Sequence, residues 1–345
     1  MFGGCRKMQF KLTQKQLSTN VFTWLITGCA GFIGSNILEA LLKLNQKVVG
    51  IDNFSTGHQR NIDEVLQNVT EEQGGNFTFV RGDICSLQDC EVAMQNVDFI
   101  LHQAALASVP RSIKEPLQTH NANVNGFLNI LELARKYRVK RVVYASSSSV
   151  YGDSPILPKR EDQIGKPLSP YAANKYIDEI YANVYARCYG MELIGLRYFN
   201  VFGKRQDPNG AYAAVIPLWI KALLNHEPIY INGDGETTRD FCYIDNIVQA
   251  NMLAALTDDQ SAINQIYNVA CGTRITLNEL FANIVEVLNI AKSVKPQYRD
   301  FRPGDIRHSL ADITKIKEKL SYNVTHHVLD GLKEAMPWYT QFMQN

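Results

Sequence analysis

The stretch Thr27-Gly28-Cys29-Ala30-Gly31-Phe32-Ile33-Gly34 decides the fold, because it spaces its glycines as Gly-x-x-Gly-x-x-Gly. A β-rich run, Thr23–Thr27, comes before it, and an apolar helical pattern follows from about Phe32 to Leu44. A glycine turn that joins a strand to a helix in this way is typical of the first unit of a doubly wound parallel sheet. The pattern therefore predicts an α/β fold of the Rossmann type.

Each glycine of this loop has a physical reason to be there. Gly28 can make the tight turn, Gly31 removes a side chain that would block a pyrophosphate, and Gly34 lets the helix pack closely on the strand. The free N–H groups and the positive dipole end of the helix favour phosphate binding. We therefore expect the loop to bind a dinucleotide through Gly28, Gly31, Phe32, Ile33 and Gly34.

Acidic residues at the ends of the next two strands indicate which dinucleotide binds. Asp52 follows the predicted strand Lys47–Ile51, 18 residues after Gly34. A carboxylate at this place accepts hydrogen bonds from both ribose hydroxyls and repels a 2′-phosphate, which favours NAD over NADP. Asp83 ends the following strand and could meet the adenine amino group, although an ordinary strand-end aspartate explains it nearly as well. The predicted cofactor contacts here are Asp52, Asn53, Asp83 and Ile84.

Strand and helix patterns alternate over the first two-thirds of the chain, as a helix-covered parallel sheet requires. The further predicted strands are Phe77–Val80, Phe99–Gln103, Arg141–Ser146 and Leu193–Arg197. We divide the chain into a mobile or amphipathic leader (1–20), an NAD-binding domain (21–200) and a smaller mixed α/β lobe (201–345). The last of these mainly binds substrate, and segments of it can return to the Rossmann domain.

Composition places the chain among ordinary soluble proteins. It has 345 residues, 46% of them hydrophobic and 20% charged, with a formal net charge of +1, so neither a nucleic acid nor a membrane is expected as partner. The first 20 residues lack the apolar core of a secretory signal, which favours the cytoplasm. Seven scattered cysteines without a C-x-x-C pair suit reduced thiols, and no metal site is expected.

A second motif, Ser169–Lys175, opens a predicted helix and carries chemistry. Ser169 suits the N-cap and Pro170 the first helical position. Tyr171 and Lys175 are four residues apart and share a helix face. Tyrosine ionises near pH ~10, but a neighbouring ammonium and a cationic nicotinamide stabilise the phenolate. Tyr171 could then take a proton from a hydroxyl while a hydride leaves the same carbon.

Hydroxyl side chains crowd the end of the strand before this helix, in Tyr144–Gly152. The carboxyl end of a parallel strand faces the ligand crevice. One serine there can hold the reacting hydroxyl and stabilise charge on the alkoxide. For Ser146 and Ser148 a serine-rich turn is the preferred interpretation.

Together these motifs give the chain a family resemblance. It resembles the extended short-chain dehydrogenase/reductases, and within them the UDP-hexose 4-epimerases, from about Thr23 to the C-terminal helix. The more specific motifs are R-Y-F-N at Arg197–Asn200, G-A-Y-A-A-V-I-P at Gly210–Pro217, G-D-G-x-x-x-R-D at Gly233–Asp240 and R-P-G-D at Arg302–Asp305. They are most similar to the bacterial subgroup that acts on UDP-N-acetylhexosamines in surface-polysaccharide synthesis.

The resemblance implies a role for each matching residue. Tyr171 is the base with Lys175 as its partner, and Ser147 contacts the sugar O4 with Ser149 assisting. Gln103, Ala104 and Asn123 surround the NAD, which Tyr171 and Lys175 also contact. The diphosphate meets Asn200, Arg239 and Arg302, the uracil site includes Ala214, Val215 and Tyr230, and Asp305 holds the uridine ribose. Ser108, Trp219 and Ser309 complete the substrate set. The family's dimer contact would use the helices that contain Val124–Tyr137 and Tyr171–Tyr189.

Two positions narrow the reaction and the substrate. Related dehydratases carry an Asp-Glu pair where this chain has Ser148 and Ser149, and neither serine is a competent general acid. In the family that the chain resembles, the residue seven positions after the arginine of R-P-G-D gates the space near the C2 substituent of the sugar. Here that residue is Ser309, which leaves room for an N-acetyl group that a tyrosine would crowd, although Ala107 stands where the subgroup usually has glycine. We therefore expect a 4-epimerase of UDP-GlcNAc and UDP-GalNAc.

Other classes stay open at this point. UDP-Glc and UDP-Gal, or the N-acetylhexosaminuronic acid forms, are alternative substrates. Another NAD-dependent enzyme that modifies UDP-sugars, or a non-catalytic NAD-binding regulator on the same fold, is the alternative to an epimerase.

Overall fold

The computed structural model describes residues 2–210, 213–291, 294–301 and 306–344. The helices are α1 (Phe2–Thr19), α2 (Phe32–Lys43), α3 (Gln59–Gln67), α4 (Glu71–Gly74), α5 (Leu87–Ala93), α6 (Val109–Lys114), α7 (Pro116–His120), α8 (Gly126–Lys136), α9 (Pro170–Tyr189), α10 (Val215–Leu224), α11 (Ile244–Leu256), α12 (Leu277–Val287), α13 (Thr314–Lys319) and α14 (Val328–Gln344). The strands are β1 (Thr23–Thr27), β2 (Lys47–Asp52), β3 (Phe77–Arg81), β4 (Phe99–His102), β5 (Arg141–Ser147), β6 (Leu193–Tyr198), β7 (Val201–Phe202), β8 (Tyr230–Asn232), β9 (Thr238–Arg239), β10 (Cys242–Tyr243), β11 (Ile266–Val269), β12 (Ile275–Thr276) and β13 (Gln297–Arg299).

A seven-stranded sheet with the order β11-β6-β5-β4-β1-β2-β3 forms the centre of the molecule. Its neighbouring strands all pair in parallel, which confirms the predicted Rossmann-type α/β fold. The strand order reverses between β1 and β4, and ligands of such sheets bind in the crevice at this switch point. The glycine loop after β1 and the loop after β4 therefore meet at one place.

Helices cover both faces of the sheet. Because alternate side chains of each strand point to opposite faces, neighbouring residues of one strand join different buried clusters. Trp24 and Ile26 of β1 join the larger buried cluster, which also contains residues of α2 and α11. Leu25, between them, joins a second cluster with residues of α5, α8 and α9. The strands are buried on both faces and therefore read as continuous apolar runs.

Of the residues beyond 200, for which the sequence predicts a substrate-binding lobe, one strand belongs to the large sheet. β11 pairs with β6 over Ile266–Val269, at the edge of the sheet. The lobe itself contains three two-stranded pairings, β7 with β10, β8 with β13, and β9 with β12. The lobe and the Rossmann domain are thus interleaved along the chain.

The leader forms helix α1, whose C-terminal end is packed on the domain. Leu17 is fully buried. The Gln46 side chain donates hydrogen bonds to the Leu17 and Asn20 carbonyls at 2.8 and 3.1 Å. The end of the leader is therefore held against the loop between α2 and β2.

Candidate active site

The glycine loop has the geometry that dinucleotide binding needs. Gly28 has a φ of +72°, which favours glycine. A Cβ on Gly34 would lie 2.1 Å from the Gly28 carbonyl oxygen, so only glycine fits where α2 approaches β1. Gly31 is the N-cap of α2 and has no side chain to cap the first N–H groups. Those N–H groups are therefore available to a phosphate.

Asp52 joins the loop to the predicted ribose site. Its Oδ2 accepts from the Ala30 N–H and its Oδ1 from the Phe54 N–H, at 2.9 and 2.8 Å. Burial raises the pKa of Asp52, although these two hydrogen bonds oppose the rise. Each carboxylate oxygen keeps a lone pair for a ribose hydroxyl. Asp52 thus holds the glycine loop in addition to its predicted role, which the sequence did not reveal.

A cavity of about 220 Å³ lies beside this loop and contains the predicted adenosine contacts. Asp83 accepts from the Cys85 N–H and from the Asn53 side chain, at 2.8 and 3.0 Å. Burial alone would raise the pKa of Asp83, but these hydrogen bonds lower it. The predicted cofactor residues that line this cavity are Gly28, Asp52, Asn53, Asp83, Ile84 and Ala104.

The loop after β4 is fastened to the glycine loop by Thr27. Its Oγ1 accepts from the Gln103 and Ala104 N–H groups at 3.2 and 3.1 Å, and it lies 2.9 Å from His102 Nδ1. The Thr27 proton therefore goes to Nδ1, which assigns the Nε2–H tautomer to His102. The Gln103 amide is oriented in turn by Tyr198, whose hydroxyl donates to its Oε1.

Helix α9 presents the Tyr-x-x-x-Lys pair as predicted. The Ser169 hydroxyl accepts from the Ala172 N–H, and Pro170 occupies the first turn. Tyr171 and Lys175 are both buried and both line a second cavity of about 450 Å³. Lys175 Nζ donates to Asp178 Oδ2 at 3.2 Å. The pair is therefore positioned by a capped helix within a pocket.

Of the four serines after Ala145, Ser147 is the one predicted to contact the sugar O4. Its Oγ accepts from the Ser149 N–H at 3.1 Å, which leaves its own proton for a ligand, and it lines the same cavity as Tyr171. Ser146 donates to Glu179 at 2.6 Å, which supports the structural interpretation of Ser146.

A third cavity, of about 360 Å³, continues from the second through Asn200 and Ala213, which line both. Four further predicted substrate residues line it: Val215, Trp219, Tyr230 and Arg239. The remaining predicted residues of the second cavity are Phe32, Ile33, Gln103, Ser108 and Ala214. Most of the predicted site is thus assembled along one crevice.

The family model described as the NAD dependent epimerase/dehydratase family matches residues 24–270. This chain belongs to that family. The members of the family use NAD, and the predicted resemblance to UDP-sugar 4-epimerases is confirmed by its relatives.

Three epimerases show how broad the likeness is. A putative UDP-glucose 4-epimerase of Methanocaldococcus jannaschii is 36% identical, over 91% of this chain and 97% of its own. A UDP-glucuronate 4-epimerase of Thermodesulfobacterium geofontis is 35% identical, over 91% and 95%. The structure of a UDP-N-acetylglucosamine 4-epimerase from Methanobrevibacter ruminantium M1, in complex with UDP-N-acetylmuramic acid, is 40% identical over 94% and 99%, with a TM-score of 0.85. These relatives are all 4-epimerases of UDP-sugars, but they are named for different sugars.

Several predicted residues of this epimerase/dehydratase family member lie away from the cavities. Asn123 is fully buried, and its side chain bonds the Leu106 N–H and carbonyl, so it positions the loop after β4. The Ser149 Oγ is buried and has no hydrogen-bond partner among the described residues. Ser309 donates its N–H to the Thr238 carbonyl, next to Arg239. The predicted substrate contacts Arg302 and Asp305 lie outside the described residues.

Two arginines that the sequence did not single out also line the crevice. Arg111 lies at the start of α6, in the cavity with Tyr171 and Ser108. Arg299 lies over the Tyr230 ring, its Cζ 3.2 Å from the ring centroid, in the third cavity. Neither belongs to a recognisable motif, and Arg299 meets Tyr230 because β13 pairs with β8.

No helix of the described ranges is long and apolar enough to cross a membrane.

Proposed function

We propose that this UDP-sugar 4-epimerase interconverts UDP-GlcNAc and UDP-GalNAc, with Tyr171 as the catalytic base. The observation that carries the proposal is the meeting of Ser147, Tyr171 and Lys175 in one cavity. That second cavity continues through Asn200 into the third cavity, which we propose takes the nucleotide. A UDP-sugar bound along this crevice would have its sugar beside the base.

The residues perform the acid–base part of the reaction. Tyr171 removes the proton of the sugar O4, and the Ser147 hydroxyl donates a hydrogen bond to the same oxygen. NAD held at the glycine loop supplies the acceptor and donor of the C4 hydride. The 4-keto sugar turns over between the two transfers, while the diphosphate stays near Asn200 and Arg239. Tyr171 then returns the proton to O4, and C4 has the opposite configuration because the turned sugar has presented its other face to the cofactor.

Two observations bear on the choice of sugar. The family resemblance places the small Ser309 near the C2 substituent of the sugar, although Ser309 lines none of the cavities described above. This small side chain and the neighbour that is a UDP-N-acetylglucosamine 4-epimerase support an N-acetylated substrate. Arg111 in the catalytic cavity favours a second candidate, a sugar with a carboxylate such as UDP-glucuronate, since guanidinium binds carboxylates in a bidentate way. A relative of that activity is 35% identical.

A substrate panel tests this assignment. The kcat/KM should be largest for UDP-GlcNAc, compared with UDP-Glc and UDP-glucuronate, in a proton NMR assay. Ser309→Tyr should lower kcat/KM for UDP-GlcNAc by roughly 10-fold or more while sparing UDP-Glc, because a pocket discriminates by volume. Ser309→Ala, which keeps the space, serves as the control. Unchanged N-acetyl turnover in Ser309→Tyr would contradict the gate, and a preference for UDP-glucuronate would favour the second candidate.

We also propose that the protein forms a homodimer through α9. Two apolar residues of this helix, Ile180 and Val184, are 47% and 43% exposed. Ile113 and Leu117, on the helices that pack beside it, are 64% and 85% exposed. Apolar groups clustered in this way on a surface are typical of an interface.

Charges on that face should separate the subunits. The double variant Ile180→Glu and Val184→Glu is expected to sediment as a monomer where the unaltered protein sediments as a dimer, because buried charges without partners are costly at an interface. Leu66→Glu, on α3 and 40% exposed, is the matched control and should stay dimeric. A monomeric unaltered protein, or a double variant that remains dimeric, would exclude α9 as the contact.

A further inference from the structure

A buried acid lies one helical turn beyond the catalytic lysine. Asp178 Oδ2 accepts the hydrogen bond from Lys175 Nζ at 3.2 Å, and both residues are 1% exposed. The second carboxylate oxygen, Oδ1, has no hydrogen-bond partner in the described part of the chain. An ion pair shielded from water in this way is only weakly screened. The charges of Lys175 and Asp178 therefore act on the neighbouring base, Tyr171.

The other titratable groups that face the pair add little charge to it. Glu179, next on α9, is held by a buried arginine. On β5, burial raises the pKa of Tyr144 well above its usual value, so this phenol stays neutral. On β4, burial and the lysine lower the pKa of His102 to about 3, so the imidazole is neutral too. Asp178 is thus the counterion that Lys175 meets in its pocket.

We propose that Asp178 is a positioning residue that fixes the Lys175 ammonium and moderates its pull on the Tyr171 proton. The inference rests on the roles proposed above for Tyr171 and Lys175. An ammonium stabilises a neighbouring phenolate, and a carboxylate on the far side of that ammonium opposes the effect. Asp178 therefore sets how readily the base loses its proton.

The charge of Asp178 is itself expected to change with pH. Burial raises the pKa of Asp178 to about 7, although Lys175 opposes this rise. The carboxylate then gains its charge over the neutral range. Each negative charge hinders the appearance of the other, so the two protons are lost over a wider range than one group would need. The acidic limb of the pH–rate profile should accordingly be shallower than a one-proton curve.

Asp178→Asn tests the inference, because the amide keeps the shape and removes the charge. The acidic limb of kcat/KM is expected to move to lower pH by roughly 1 unit and to become a one-proton curve. Asp162→Asn, an exposed acid in a surface ion pair, is the matched control and should leave the profile unchanged. A limb that stays in place or moves to higher pH would overturn the inference.

A direct titration separates this inference from the proposed function. The near-ultraviolet phenolate absorbance of each protein, minus that of its Tyr171→Phe counterpart, follows Tyr171 without any substrate. The Asp178→Asn curve should again lie at lower pH, whichever UDP-sugar is used. If Asp178→Asn does not fold, the inference is tested by the width of the Tyr171 titration curve in the unaltered protein. A one-proton curve would then overturn the inference. Absence of turnover with every sugar of the panel would instead remove the proposed function.

Discussion

Replacing Tyr171 by phenylalanine is expected to abolish turnover while NAD stays bound. The change removes only the hydroxyl, and the ring remains in its buried place near the start of α9, where the Ser169 cap is untouched. Loss of a general base costs roughly 10²–10⁴-fold in rate. The contacts predicted for NAD at the glycine loop lie on other elements, so cofactor retention should not change.

The measurement pairs turnover with cofactor content. Turnover is followed by proton NMR of the UDP-sugar, and bound NAD is released by denaturation and measured by its absorbance. Tyr181→Phe, a more exposed tyrosine on the same helix, is the matched control and should keep full activity. Retained activity in Tyr171→Phe would exclude Tyr171 as the base, and loss of NAD would mean that the Tyr171 hydroxyl also supports the cofactor site.

Glu179→Ala is expected to lower the free energy of unfolding by about 3–5 kcal/mol, because it leaves a buried arginine without its counterion. Both oxygens of Glu179 accept from Arg197, Oε1 from Nε and Oε2 from Nη2, each at 2.8 Å. Oε1 also accepts from the Ser146 hydroxyl. Since a folded domain is stable by only about 5–15 kcal/mol, the change removes a large part of the total.

Urea unfolding followed by circular dichroism gives this free energy. Asp162→Ala, which breaks the exposed pair with Arg160, is the control, and about 0–1 kcal/mol is expected for it. A similar small loss in Glu179→Ala would show that the buried pair contributes little. A large loss would also support a structural role for Ser146, because its hydroxyl donates a hydrogen bond to Glu179.

Features written in consecutive residues could be predicted from the sequence. The glycine loop and the cap at Ser169 are local patterns, and the structure has both. The return of β11 to the sheet could not be foreseen at that level. Its residues, Ile266–Val269, have an ordinary apolar pattern, and only pairing with β6 places them there.

The site shows the same division. Tyr171 and Lys175 are recognisable because their spacing sets a shared helix face. Asp178 is three residues from Lys175, and that spacing indicates a pair, but the burial that gives it an effect comes from the sheet beneath α9. Arg299 reaches Tyr230 only because β13 pairs with β8. Such roles depend on which elements meet.

One measurement tests most directly whether the crevice performs C4 epimerisation with a recycled cofactor. The purified protein is mixed with UDP-GlcNAc without added NAD, and the sugar is followed by proton NMR while near-ultraviolet absorbance reports reduced cofactor. We expect an equilibrium mixture with UDP-GalNAc and no net accumulation of reduced cofactor. Absence of conversion even with added NAD, or oxidation that consumes NAD in proportion to the sugar, would contradict it.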